Sequence, residues 1–333
     1  MKKLHKFWMA VCVFGTTAGT VQSLNAADLY PVVIDGKSGF IDKAGKLQIP
    51  AQYQEAHQFS EGLAAVRQND LWGYIDAENK LVVNPQCENA DTFSEGPARV
   101  SKKKGLLGKT HGFVDLKGTL AIEYAFSDAG SFKNGLARVE RDKKWGFIDK
   151  AGKIVIEPQF NEAADFADGL ASVKTGGEFK GMYGFIDTKG QMKINPTFEA
   201  SESFNEGLAS FKRDGKCGYI DTNGKVVIAA QFDGAWGFSH GRACVKVGGK
   251  LGFIDKTGKM IVNPLYENAK AFNEGLASVQ LDGKWGYINT DGKTAGDFNL
   301  GLALVKTHGD LCFVGTDGQI VWSPTTASAS IDG

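Results

Sequence analysis

The sequence has little of what marks several common protein classes. It contains five cysteines, five histidines and eight prolines in 333 residues, and its 38 basic side chains balance 38 acidic ones. A balanced surface gives no electrostatic basis for binding nucleic acid. Beyond the first 26 residues no apolar run approaches the length that crosses a bilayer. We therefore expect no nucleic-acid partner and no transmembrane segment in the mature chain.

The two chain ends differ in composition from the rest. Three lysines, Lys2, Lys3 and Lys6, precede an apolar run that ends near Val21, and the small residue Ala26 follows shortly after. This order is typical of a secretory signal peptide. We predict a signal peptide over 1–26 and export to the periplasm, the cell surface or the medium. The tail over 323–333 has no apolar periodicity and is predicted to be disordered.

What the chain does contain is a repeat rich in glycine and phenylalanine. The stretch 275–293, GLASVQLDGKWGYINTDGK, recurs nine times in whole or in part, mostly at intervals of about 34 residues. Two short apolar runs flank Asp282 and Gly283, a dipeptide that favours the positive φ angles of a type I′ hairpin turn. A second turn at 289–292 should lead into a third strand. Each repeat is therefore predicted to be a three-stranded antiparallel β-meander.

A connector follows each meander. In it Tyr266, Ala269 and Phe272 are three residues apart, and other copies keep this spacing, which places side chains on one face of a helical turn. We predict an all-β fold over 29–322, in which nine meanders with short helical connectors stack as an open, curved superhelical array. A closed, propeller-like ring is the alternative. The open form is favoured because the first and last units each contain all three strands.

The motifs E-G-L-A-x-V, K-W-G-Y-I-D, G-K and P-x-Y recur in this order along the chain. In this respect the sequence resembles the WG-repeat (KWG-repeat) family of bacterial proteins. The resemblance implies β-strand repeats, often in exported or membrane-associated proteins, with no general enzymatic activity attached. The tryptophan of the motif is replaced at Ser38, His111, Tyr183, Cys217, Leu251 and Leu311.

Residues that recur in the repeat are interpreted first as structural. Seven aspartates, of which Asp42 is the first, end the second strand and are expected to cap the following turn. The residue before the glycine of E-G-L-A is Glu61 in one copy and Asn134, Asp168 or His240 in others. Such variation is typical of a solvated turn. We expect no catalytic residue, no metal site and no cofactor.

Candidate binding residues lie where copies differ or where aromatic side chains are exposed. Two insertions fall in first hairpin turns, at 101–110 and 175–182, and the first carries four lysines that suit an anionic polymer or lipid surface: Lys102, Lys103, Lys104 and Lys109. Three tryptophans offer rings for stacking on a sugar or a quaternary amine: Trp72, Trp145 and Trp285. Each set also has a structural interpretation: the lysines as part of a solvated loop, and the tryptophans as packed side chains.

Four cysteines remain after the leader, and in an oxidising compartment an even number permits pairing. Cys217 and Cys244 lie in adjacent units and form the disulfide that we would test.

The sequence as a whole predicts a monomeric, non-enzymatic exported repeat protein that binds or scaffolds a protein or an envelope component. A carbohydrate- or cell-wall-binding module using the repeat aromatics is the alternative, and a hydrolase is the most distant one.

Overall fold

The structure is a computed structural model that describes residues 25–42, 44–105, 108–177, 180–273, 275–299, 302–307, 310–315 and 320–322, with side chains up to residue 293. Residues 1–24 of the predicted signal peptide (1–26) and the predicted tail over 323–333 lie outside these residues. Within the described residues the chain is built almost wholly of β-strands. The helical element there is a single 3-10 turn, Ala26–Asp28.

The strands form eight sheets, which we number in chain order. Sheet 1 contains β1 (Tyr30–Ile34), β2 (Lys37–Ile41) and β3 (Leu47–Tyr53), and sheet 2 contains β4 (Glu55–Ala56), β5 (Ala64–Gln68), β6 (Leu71–Ile75) and β7 (Leu81–Cys87). Sheet 3 contains β8 (Asn89–Ala90), β9 (Ala98–Lys104), β10 (Gly108–Val114) and β11 (Leu120–Phe126), and sheet 4 contains β12 (Asp128–Ala129), β13 (Leu136–Arg141), β14 (Lys144–Asp149) and β15 (Ile154–Phe160).

The next three sheets repeat the four-stranded pattern. Sheet 5 contains β16 (Glu162–Ala163), β17 (Leu170–Thr175), β18 (Met182–Asp187) and β19 (Met192–Phe198), and sheet 6 contains β20 (Ala200–Ser201), β21 (Leu208–Arg213), β22 (Lys216–Asp221) and β23 (Val226–Phe232). Sheet 7 contains β24 (Gly234–Ala235), β25 (Arg242–Val247), β26 (Lys250–Asp255) and β27 (Met260–Tyr266).

Sheet 8 contains seven strands: β28 (Asn268–Ala269), β29 (Leu276–Leu281), β30 (Lys284–Asn289), β31 (Thr294–Asn299), β32 (Leu302–Thr307), β33 (Asp310–Gly315) and β34 (Ile320–Trp322). Neighbouring strands pair antiparallel in all eight sheets, and the strand order in each is linear, so none of them closes into a barrel. The predicted all-β tandem repeat is confirmed.

The turns that the sequence predicted are present. Asp282 and Gly283 have φ angles of 50° and 73°, and they join β29 to β30 through the Leu281–Lys284 pair, as a type I′ turn requires. At the next turn the side chain of Asp149 accepts hydrogen bonds from the backbone N–H groups of Ala151 and Lys153. The aspartates therefore cap turns, as expected.

The prediction of a helical connector is wrong. Tyr266 ends β27 in one sheet, the chain bends at Glu267, and Ala269 then pairs with Val279 in the first long strand of the next sheet. The same chain segment thus serves as a short fourth strand rather than as a helical turn. Tyr266, in the strand before the bend, and Phe272, after the short strand, are both buried. A spacing of three does not distinguish this bent strand from a helix.

Successive sheets pack face to face across a shared core. The cluster between sheets 4 and 5, for example, joins Phe147 and Ile156 of one sheet to Val173 and Ile186 of the other. At its centre the ring of Phe147 lies 4.8 Å from the ring of Phe166, centroid to centroid. Equivalent pairs occur at six further interfaces: Phe40–Phe59, Tyr74–Phe93, Phe113–Phe132, Phe185–Phe204, Tyr219–Phe238 and Phe253–Phe272. One aromatic pair therefore holds each sheet to the next.

The last two repeats depart from this arrangement. The distance between their motifs is shorter by eight residues than in the other copies, and β31 pairs directly with β32 through Phe298–Ala303 and Asn299–Leu302. Without a connector to carry the chain into a separate sheet, the ninth unit extends the sheet of the eighth.

Candidate functional site

The first lysine-bearing insertion forms a cationic hairpin, which we define as residues 101–105 and 108–110. Its two strands continue β9 and β10 beyond the length found in neighbouring units, through the pairs Lys104–Gly108, Lys103–Lys109 and Lys102–Thr110. Ser101 and Thr110 at its base are buried, whereas its four lysines are exposed. The predicted position of the insertion, in a first hairpin turn, is confirmed.

Two of these lysines have defined neighbours. The ammonium of Lys102 lies 4.4 Å from the centroid of the Tyr124 ring, and Nζ of Lys103 lies 3.2 Å from Oε1 of Glu88. Lys103 stands directly opposite Lys109, and like charges placed across a strand pair repel each other. One carboxylate beside four ammonium groups leaves this hairpin positive, so it can attract anionic groups.

The three candidate tryptophans are not equivalent. Trp72 is buried, 7% exposed, and its ring lies 4.5 Å from the ring of His57. Trp145 and Trp285 are partly buried, and the guanidinium of Arg138 lies 4.9 Å from the ring of Trp145. The Trp72 ring is therefore unavailable to a ligand. The Trp145 ring is shared with an arginine.

The predicted disulfide is not formed, since Cys217 and Cys244 are both free thiols. Cys217 packs against the core between sheets 6 and 7. Cys244 contributes to the core between sheets 7 and 8, while its strand neighbours Ala243 and Val245 face sheet 6. Because side chains alternate along a strand, β25 separates the two sulfur atoms. Burial raises the pKa of the Cys244 thiol to about 12, so it stays protonated at neutral pH.

A ladder of side-chain acceptors joins the E-G-L-A turns of successive units. Most of these side chains are exposed, as expected for a solvated turn, but they also bind the turn of the next unit. The carboxylate of Glu95 accepts hydrogen bonds from the backbone N–H of Asn134 at 2.8 Å and of Gly135 at 2.7 Å in the next unit. Four further acceptors do the same for the next unit's glycine: Glu61 for Gly96, Asn134 for Gly169, Asp168 for Gly207 and Glu206 for Gly241. Glutamate, asparagine and aspartate can each serve at this position because each carries a side-chain oxygen that accepts the hydrogen bond.

We predict that the Glu95 bonds make stability depend on pH. Burial acts to raise the pKa of this carboxyl, but the N–H groups of Gly135 and Asn134 and the ammonium of Lys150 outweigh it and hold the pKa below its usual value. The bonds therefore stabilise the fold above the ordinary glutamate pKa of about 4 and are lost as pH falls through the lower folded value. Glu95→Gln should lower the urea midpoint at pH 7, and the gap to wild type should shrink toward pH 3.

The same substitution at Glu157, which lies on an exposed strand position, controls for the loss of one charge. A gap between wild type and Glu95→Gln that stays constant from pH 7 to pH 3 would contradict the assigned role.

Two arginines that sequence reasoning overlooked bridge neighbouring sheets. Arg99 forms a two-point ion pair with Asp91 of its own unit and donates from Nη1 to the backbone oxygen of Ala129 in the next. Arg138 likewise donates to the backbone oxygen of Ala163 in the next unit, but its ion pair, with Nε 2.7 Å from Oδ1 of Asp165, is also with that next unit. Both occupy the variable position of the G-L-A-x-V motif, and that shared position was the signal that could have found them.

The sequence pattern described as WG containing repeat matches seven segments, 39–72, 72–105, 112–145, 145–179, 183–217, 218–250 and 252–285. Together these segments cover more than half of the chain. The chain belongs to the WG containing repeat family. No curated protein matches this WG-repeat protein.

The structure explains the glycine of the Trp-Gly dipeptide that names the family. In this WG-repeat protein the glycine lies against the third strand of its sheet, with no room for a side chain. The preceding position tolerates Trp, Tyr, Cys, Ser, His or Leu. The glycine is kept in eight of the nine copies, with Cys312 in the ninth, whereas the tryptophan is kept in three.

Solved structures resemble the WG-repeat protein in fold at low sequence identity. A eukaryotic initiation factor matches with a TM-score of 0.59 and 10% identity, over 89% of this chain and 96% of its own. Hsv2 of Kluyveromyces lactis matches at 0.43, with 10% identity, 79% of this chain and 95% of its own. The extracellular domain of a hybrid two component system from B. thetaiotaomicron matches at 0.34, with 11% identity, 89% of this chain and 54% of its own. Only the first value supports a shared fold.

The described residues of the WG-repeat protein contain neither a metal-binding group nor a membrane-spanning helix. Over those ranges no three His, Cys, Asp or Glu side chains lie together as a metal ion would require. Nor does any helix within them have the length and apolar character needed to cross a bilayer.

Proposed function

We propose that this protein is a non-enzymatic, exported binding module that holds an anionic polymer or lipid surface of the cell envelope through the cationic hairpin. The observation that carries the proposal is the extension of β9 and β10 into an exposed ribbon bearing four lysines. The recurring residues of the repeat already have structural roles in turns, ladders and sheet interfaces. The length of this hairpin and its four exposed lysines differ from the repeat, and the turns and sheet interfaces do not require them.

The charge of the hairpin also sets the expected strength of binding. Each lysine close to an anionic surface contributes about 1 kcal/mol, and salt screens this attraction. Replacing all four lysines by glutamine should therefore weaken binding by roughly 100-fold or more. The affinity of wild type should also fall steeply as salt rises.

The test measures binding to two probes, immobilised dextran sulfate and vesicles of phosphatidylglycerol in phosphatidylcholine. A matched control replaces four exposed lysines from turns of four other units, Lys143, Lys189, Lys225 and Lys259, by glutamine. The proposal requires loss of binding in the hairpin variant and retention in the control. Equal binding by both variants, or binding of wild type to neither probe, would overturn it, and the choice of probe separates polymer from lipid.

We infer further that the units stack as an open, curved array of one monomer. The joining of units eight and nine edge to edge, in place of face-to-face stacking, supports an array whose last unit differs from the others. Small-angle scattering should then show an elongated particle, and a compact disc would favour the ring.

A further inference from the structure

In the second to eighth units, the variable residue of G-L-A-x-V lies opposite one connector residue of the same sheet. The connector residue's N–H donates to the backbone oxygen of the variable residue at seven places: His57 to Ala65, Asp91 to Arg99, Gly130 to Arg138, Ala164 to Ser172, Glu202 to Ser210, Trp236 to Cys244 and Lys270 to Ser278. Opposite residues on a strand pair place their side chains on the same face. Among these seven pairs, only Ala164 with Ser172 lacks a long side chain.

This pair of small residues leaves a space that other units fill. In the unit before it, Arg138 extends across the interface to Asp165 and to the backbone oxygen of Ala163. Ser172 reaches only as far as the hydroxyl of Ser201 in the next sheet, at 2.6 Å. A cavity of about 370 Å³, partly open to solvent, lies at this point. Its volume falls within the range of about 300 to 1,000 Å³ found for small-molecule sites.

Most of the residues that line the cavity have polar side chains. They include Ser172, Ser201, Ser203, Glu162 and Asp165, with Arg138 and Tyr183 beside them. Carboxylate oxygens accept two hydrogen bonds each, and serine hydroxyls both donate and accept. These are the groups that pair with the alternating donors and acceptors of neighbouring sugar hydroxyls.

The charges of the lining are balanced and held in place. The carboxylate of Glu162 contacts Nζ of Lys174 at 2.8 Å and accepts a hydrogen bond from the hydroxyl of Tyr183. The hydrogen bonds from Lys174 and then from Tyr183 hold the pKa of Glu162 below its usual value, so this carboxylate is ionised at neutral pH. Asp165 is balanced by Arg138 in the same way. A charged ligand would therefore find no net opposite charge.

We propose that this cavity binds a neutral, polyhydroxylated ligand, a mono- or oligosaccharide. The ligand's hydroxyls pair with Glu162, Asp165 and the serines, beside the Tyr183 ring. The site is lined mainly by the fifth unit, with Arg138 of the fourth and Ser201 and Ser203 of the sixth, whereas the cationic hairpin belongs to the third. The two binding activities are therefore separable. Neutral saccharide binding here does not depend on the anion binding proposed above.

The test titrates the full chain with cellotriose, with the trisaccharide of N-acetylglucosamine and with glucose 6-phosphate, following tryptophan fluorescence and heat. Trp145 reports on the site because Arg138 joins it to the cavity. Ser172→Arg should fill the cavity with the side chain that units three and four carry. Glu162→Gln removes an ionised acceptor, and each variant should weaken saccharide binding about tenfold or more.

Glu157→Gln, on an exposed strand outside the cavity, is the matched control and should bind as wild type does. Saturable binding of a neutral saccharide that both cavity variants lose and the lysine hairpin variant keeps would support the proposal. If Ser172→Arg fails to fold, Glu162→Gln decides alone. The proposal is overturned if wild type binds neither neutral saccharide at millimolar concentration, prefers glucose 6-phosphate, or binds unchanged after Glu162→Gln.

Discussion

Replacing Gly218 by alanine should destabilise the protein by roughly 2 to 4 kcal/mol, although only one methyl group is added. A Cβ at this position would lie 2.5 Å from the backbone oxygen of Ile228 and 2.8 Å from the backbone nitrogen of Ala230. Cys217 pairs with Phe232 and Tyr219 pairs with Ile228, so this single glycine faces three residues of β23. The bulge brings the two backbones together, and neither can move without breaking sheet pairing. Urea denaturation with fluorescence detection measures the loss.

The matched control is Gly237→Ala. A Cβ on Gly237 would have its nearest neighbours at 3.9 and 4.0 Å, which is ordinary van der Waals contact. This variant should unfold close to the wild-type midpoint. Equal midpoints for the two alanine variants would show that the motif glycine is not required by close backbone approach.

Replacing Phe147 by alanine should cost about 3 to 5 kcal/mol, because the ring is fully buried and its loss leaves a cavity between two sheets. Phe166 on the facing side packs against it at 4.8 Å. The double variant Phe147→Ala with Phe166→Ala should lose less stability than the sum of the two single variants, since both delete the same contact. Urea midpoints of the four proteins complete the cycle.

Val155→Ala serves as the control, because Val155 is 41% exposed on a strand of the same sheet. Its effect should stay within about 0.5 kcal/mol. Strict additivity of the two phenylalanine substitutions would contradict the claim that this pair joins the sheets as a unit.

Much of the fold follows from local chemistry that can be read in the sequence. Asp282 and Gly283 define a hairpin turn, and Asp149 defines the turn cap after the second strand, because both effects involve residues close together in the chain. The insertion at 101–110 was placed correctly from motif spacing alone. These features need no knowledge of what packs against them.

The connector could not be predicted in the same way. The burial of Tyr266 and Phe272 fits a helical turn and a bent strand equally well, and the strand is formed only because Ala269 finds a partner in the next sheet. Likewise Cys217 and Cys244 belong to neighbouring repeats, but Cys217 and the Cys244 side chain lie on opposite sides of β25. Which sheet a segment joins, and which face of that sheet a side chain lies on, depend on pairing with distant strands.

The two candidate sites differ in the same way: one is visible from residues close together in the sequence, and the other depends on strand pairing. The cationic hairpin can be predicted from the sequence because its four lysines lie within eight residues, 102–109, of one insertion. The fifth-unit cavity depends on Ala164 and Ser172 being small at once, which matters only when they stand opposite each other. Comparing that pair across the units would have identified the cavity once the register was known.

The measurement that tests the central claim most directly is capture of envelope material by the mature chain and by two shortened variants. One replaces residues 101–110 by an Asp-Gly turn, and the other shortens the second insertion, over 175–182, in the same way. Our account predicts that the intact chain and the second variant retain the same anionic polymer or lipid, and that the first variant loses it. Equal retention by both shortened variants would place binding on the shared repeat surface and contradict the account.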